Sequence, residues 1–165
     1  MAEVEKRVIL DTTADAIALA RELVSTAAHA ALATLDPATG WPLATRVGVA
    51  ADTDGTPAIL ISRLAAHTQA LLADPRCSLL VGVVGKGDPL AHPRLSIQCR
   101  AREIARPGDE HARIEPLYLA HQPKAALYVG LGDFRFFRLE VEGASLNAGF
   151  GRAYALDAAD LVGAL

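Results

Sequence analysis

Between Arg94 and Ala105 the chain alternates residue by residue. Leu95, Ile97, Cys99 and Ala101 fall on one side, and Ser96, Gln98, Arg100 and Arg102 on the other. A period of two fits an extended strand with one dry and one wet face, because a helix turns its positions every ~3.6 residues. The pattern returns from Phe134 to Leu146, where Phe137, Leu139 and Val141 oppose Arg138, Glu140 and Glu142. Strands are also expected at Ala30–Leu35, Trp41–Ala51 and Pro57–Ile61, forming an antiparallel meander. Asp36-Pro37-Ala38-Thr39-Gly40 and Asp52-Thr53-Asp54-Gly55 supply its turns, since Asp bonds its own backbone and Gly accepts unusual dihedrals. The apolar run Cys77–Val84 reads as a strand covered on both faces, by a closed barrel core or by a second subunit.

Helical spacing is confined to short stretches. Ile17, Ala20, Leu23, Val24, Ala27 and Ala28 repeat at helical intervals behind Thr13, a side chain suited to cap the first turn, with Asp15 inside it. Further helices are expected from Ala66 to Asp74-Pro75, over Gly108–His121 before Pro123, and as a closing turn over Asp157–Leu165. About six strands with few helices, not regularly alternating, exclude a doubly wound parallel sheet. A mostly β, antiparallel barrel or sandwich fits, as one domain over residues 1–165.

Composition removes whole classes of function. Apolar residues at 52% and charged residues at 21% exclude a disordered chain. A net charge of −3, from 16 Lys and Arg against 19 Asp and Glu, argues against nucleic acid as the partner. For the same reason Phe134, Phe136 and Phe137 beside Arg135 and Arg138 read as a strand burying its aromatic face rather than a base-stacking surface. The cations are mostly Arg, with only Lys6, Lys86 and Lys124, which suits bidentate recognition of phosphate or carboxylate. No apolar run approaches the roughly 20 residues of a membrane span. Met1–Leu10 carries both signs of charge and lacks a signal-peptide core, so a cytoplasmic protein without a membrane partner is expected. Cys77 and Cys99 are then two buried, reduced thiols, and the five scattered histidines lack metal-site spacing.

One constellation points to an anion. Arg46 sits on a strand, Ser62 follows another, His67-Thr68 open a helix, and Gln98 lies on the polar face of the alternating strand. A helix N-terminus bearing hydroxyl and imidazole beside a guanidinium supplies donors and positive field to a phosphate. Spacing alone leaves a plainer reading open, with Arg46 solvated and Thr68 a cap. Gly85-Lys86-Gly87-Asp88-Pro89 lacks the ending of a nucleotide-phosphate loop, His92 reads as an exposed loop residue, and Arg100 and Arg102 read as ion-pair partners of Glu103 or Glu140.

The segments Ala31–Asp36, Gly40-Trp41-Pro42 and Thr45-Arg46-Val47 resemble the opening hairpin of the flavin-binding split-barrel superfamily of pyridoxamine-phosphate oxidase. Ser62–Thr68, Gly85–Leu95, Gly132–Arg135 and Asn147–Tyr154 resemble its haem-utilisation branch, so the likeness runs in order from Ala30 to Tyr154. The resemblance implies a six-stranded antiparallel split barrel with short helices, a homodimer holding FMN at its interface. By position, Arg46 would meet the flavin phosphate, and the backbone at Val47 and Gly48 would line the ring. Ser62, His67 and Thr68 would complete the cradle, with Gln98 reaching from the other side. The family's oxidases carry an Arg-Lys pair where this chain has His67-Thr68, so one fixed positive charge is replaced by a titratable imidazole.

The expected function is that of an FMN-dependent oxidoreductase of a small-molecule substrate, with the flavin doing the chemistry and no side chain standing out as acid or base. The alternatives are a haem-binding or haem-degrading protein and a non-catalytic flavin module. Haem-degrading members are expected to use a histidine late in the chain. No histidine follows His121, so ligation by that route is not expected.

Overall fold

The computed structural model describes residues 8–163. Lys6 and most of the Met1–Leu10 segment lie outside the described residues, as do Ala164 and Leu165 of the expected closing turn. Helix α1 (Ala14–Thr26) starts where Thr13 Oγ accepts from the Ala16 amide at 3.2 Å, and it lays Ala16, Ala20 and Val24 on the barrel. The meander follows as β2 (His29–Leu35), β3 (Pro42–Ala51) and β4 (Pro57–Ser62). Strand β1 (Ile9–Leu10) precedes α1. In the first turn the Asp36 carboxylate accepts from the Ala38 and Thr39 amides at 2.8 and 2.9 Å, while Gly40 takes φ +73°.

Helix α2 (Ala66–Ala73) crosses to β5 (Arg76–Val81), which pairs with β6 (Arg94–Glu103). Helix α3 (Asp109–His121) and a 3₁₀ turn at Pro123–Leu127 lead to β7 (Phe134–Asn147), β8 (Ala153–Asp157) and α4 (Ala158–Leu161). The sheet order is β1-β8-β7-β4-β3-β2-β5-β6, and β6 also pairs with β7. Six strands, β2 to β7, therefore close an antiparallel barrel. The fold is mostly β, as the alternation required.

Three details depart from the sequence reading. The strand expected over Cys77–Val84 stops at Val81, where Gly82 turns at φ +131°; a Cβ there would lie 2.5 Å from the Pro93 carbonyl oxygen. Of the two expected covers the barrel core reaches one face of β5 only; Leu80 on the other face is 47% exposed in the single chain, and Val83 and Val84, beyond the end of the strand, are 77% and 61% exposed. Strand β8 lies where no strand was expected. It exists because β7, fourteen residues long, pairs with β4 through its first half and with β8 through its second.

Two apolar cores result. Leu32, Val49, Ile59, Leu79, Ile97, Phe137 and Leu139 fill the barrel, while Leu60, Ile104, Ile114, Tyr118 and Phe136 pack between barrel and α3. Neighbouring Phe136 and Phe137 thus serve opposite faces of β7, rather than one aromatic face. Each large side chain fully buried here is worth about 1.5–3 kcal/mol. No helix among the described residues is long and apolar enough to cross a membrane.

Candidate functional site

Because the registers of β3, β2, β5, β6, β7 and β8 interlock, the outer face of the barrel can be followed as lateral rows. One row runs Arg46, Ala31, Leu80, Ser96, Ser145, Ala155, each the direct cross-strand partner of the next, and all six are exposed. The adjacent row runs Ala44, Ala33, Ser78, Gln98, Gly143, Asp157. Arg46 and Gln98 therefore share one face, in neighbouring rows, over a bed of Ala, Ser and Gly. Such a surface is flat enough for a planar ring or another polypeptide to approach closely.

Arg46 shares this face with Arg94, Arg100 and Arg102 of β6, and these cations differ in their partners. Most guanidiniums are paired: Arg63 with Glu103, Arg76 with Asp74, Arg100 with Glu142, and Arg102 with Glu110 and Glu140. Arg102 thus pairs with Glu140 as expected, while Arg100 takes Glu142 and Glu103 goes to Arg63 and Arg135. Among the described residues, the side chains of Arg46 and Arg152 have no hydrogen bond or ion pair. A cation held on a strand without a partner is a ready counter-charge for a bound anion.

The remaining expected cradle is organised differently. Ser62 Oγ donates to the Asp133 carboxylate at 2.6 Å and accepts from the Leu64 amide at 3.1 Å. Thr68 is fully buried, and its hydroxyl donates to the Ser62 carbonyl at 2.6 Å, tying α2 to the end of β4. His67 is half-buried, and desolvation lowers its pKa from 6.5, favouring the neutral ring. Strands β3 and β4 are paired only from Val49↔Ile59 onward; continuing that register would set Arg46 opposite Ser62.

Val47 is a buried core residue. Gly48 is needed for packing, since a Cβ there would lie 2.8 Å from the Tyr118 hydroxyl of α3. His92 braces its own loop, its Nε2 lying 3.0 Å from the Lys86 carbonyl oxygen.

Sequence reading missed Asp133 as the partner of Ser62, and it missed the row Ala31, Leu80, Ser96 and Ser145. Small side chains carry no chemical signature. Strand parity was the available signal, because Ser96 lies on the Gln98 side of β6. A concavity of about 500 Å³ lies elsewhere, between α1, α3, α4 and the β3–β4 turn, with Arg21, Asp54, Leu117, His121 and Leu161 in its lining. None of the expected site residues lines it.

Residues 18–148 match the pyridoxamine 5′-phosphate oxidase family. A non-canonical haem oxygenase of the Arabidopsis thaliana chloroplast is 39% identical over 101 residues, covering 61% of this chain and 30% of that protein. A solved protein of unknown function from Agrobacterium tumefaciens is 37% identical with a TM-score of 0.81, covering 92% of this chain and 62% of the other. A haem-binding protein from Mycobacterium smegmatis is 27% identical with a TM-score of 0.82, covering 91% and 61%. The chain thus spans less than two thirds of the length of each of these relatives.

Proposed function

This chain belongs to the pyridoxamine 5′-phosphate oxidase family, and on that premise we propose that it binds haem, held against the outer sheet face between two copies of the chain. The observation that carries the reading is the state of the expected phosphate cradle. A phosphate dianion needs free donors and positive field. Here Ser62 already donates to a carboxylate, Thr68 to a carbonyl, and His67 is biased toward its neutral form. A phosphate placed there would meet the charge of Asp133. Haem asks for something else: an apolar platform for the macrocycle and cations for its carboxylates.

The outer face fits those needs. Arg46 would pair with a carboxylate of the ligand, and Leu80 in the same row, with Val83 and Val84 just beyond, would supply apolar contact. The small residues of both rows would let a second copy close over the ligand. Bound haem would supply an iron centre; the chain's part is to bind, orient and screen the macrocycle. The haem-related names of the Arabidopsis and mycobacterial relatives support this reading over an oxidoreductase that uses flavin.

FMN is the second reading. It is favoured by the register that would place Arg46 opposite Ser62, and by Gln98 sharing the Arg46 face. Parallel titrations separate the two. Haemin is followed by its Soret band and FMN by quenching of flavin fluorescence. A saturable Soret shift at fixed stoichiometry, with FMN unquenched, is expected; saturable quenching of FMN without a Soret shift would overturn the haem reading.

A further inference from the structure

Cys77 of β5 and Cys99 of β6 are direct cross-strand partners, and both point into the barrel. Directly opposed antiparallel residues have Cα atoms about 4.5–5.5 Å apart, inside the roughly 4.4–6.8 Å that a disulfide bridges. The Cys99 thiol donates along its own strand, to the Ile97 carbonyl at 3.8 Å. A third inward group stands beside them. One step beyond Ala33↔Ser78 the β2–β5 register brings Thr34 next to Cys77, and the Thr34 hydroxyl is buried without a hydrogen-bond partner. A cleft of about 370 Å³ has Thr34, Cys77 and Cys99 in its lining, together with Arg76, Gln98 and Arg100.

We infer that Cys77 and Cys99 are a peroxide-oxidisable dithiol that closes into a cross-strand disulfide, with Cys77 as the attacking sulfur and Cys99 as the resolving one. The assignment of roles follows from the contacts. Cys77 is the more accessible sulfur, at 8% exposed against 3% for Cys99, and the Cys99 thiol is engaged with the Ile97 carbonyl. The unpartnered Thr34 hydroxyl beside Cys77 is a donor available as negative charge builds on that sulfur.

The reaction balances without a cofactor. Cys77 sulfur attacks one oxygen of hydrogen peroxide; the S–O bond forms, the O–O bond breaks, and the departing hydroxide leaves as water with the Cys77 proton. Cys99 sulfur then attacks Cys77; the S–S bond forms, the S–O bond breaks, and the second water carries the Cys99 proton. The two sulfurs lose two electrons and the peroxide gains them. The product would pin β5 to β6 under Ser78 and Gln98. It does not depend on which ligand the outer face takes.

The test is a thiol count on the whole protein. Purified, reduced chain is treated with hydrogen peroxide, then denatured and titrated for free thiols, and its peptides are mapped without reduction. Free thiols should fall from two per chain to none, with a Cys77–Cys99 peptide lighter by two hydrogens and restored by dithiothreitol. In Cys99→Ala, dimedone should label Cys77, while in Cys77→Ala it should leave Cys99 untouched. Two thiols persisting in the oxidised wild-type chain, or disulfides that link separate chains, would overturn the inference.

Discussion

Arg46 does one thing in the isolated chain: it carries an unneutralised charge on an outward strand position. Removing it therefore costs no internal contact, while a carboxylate ligand loses a charge-assisted bond worth about 1.5–3 kcal/mol. Arg46→Ala should weaken haemin binding roughly ten- to a hundredfold with an unchanged thermal midpoint, measured by Soret titration and by melting. His67 provides a second readout. Burial holds its folded pKa below 6.5, so protonation favours the unfolded chain. Its contribution to stability is present above 6.5 and is lost as pH falls through the lowered folded value. In an NMR titration the ring should protonate below 6.5 in the free protein, and haem held at Arg46 should leave that value in place, whereas a phosphate in the cradle would raise it. The residue types of this site were legible in the sequence, but their commitments were not. Thr68 reads equally as ligand or cap until β4 places its carbonyl 2.6 Å away.

At the scale of elements, the β3–β4 turn is fastened by a buried ionic knot. The Asp52 side chain is wholly buried and meets Arg138 of β7 and Arg113 of α3; Arg138 also pairs with Asp54 and donates to Thr56 Oγ at 2.9 Å. Taking one partner away strands a buried charge. Arg138→Met should destabilise the protein by about 3 kcal/mol, read from denaturant unfolding, and adding Asp52→Asn should recover part of that loss. The strands were readable because alternation in β6 and β7 leaves no other periodicity. Strand β8 was not, because five residues, Ala, Tyr, Ala, Leu and Asp, have no force of their own and form a strand only where the second half of β7 and the short β1 pair with them. The ionic knot was equally hidden, since Asp52 reads as turn chemistry and its partners come from 61 and 86 positions away.

For the whole molecule, the decisive feature is a sheet face that one chain leaves bare. Apolar exposure at Leu80 amid Ala and Ser suits a second copy better than water, and the ligand proposed here would be enclosed by both. Leu80→Asp should leave the monomer folded, because that side chain is outside both cores, yet shift sedimentation toward the single chain and reduce haem uptake together. Amide hydrogen exchange with and without haemin tests the location directly. Protection should appear along β3 at 43–48, β2 at 29–33, β5 at 78–81 and β6 at 94–98. Protection confined to α1, α3 and α4 around the 500 Å³ cavity would contradict the account.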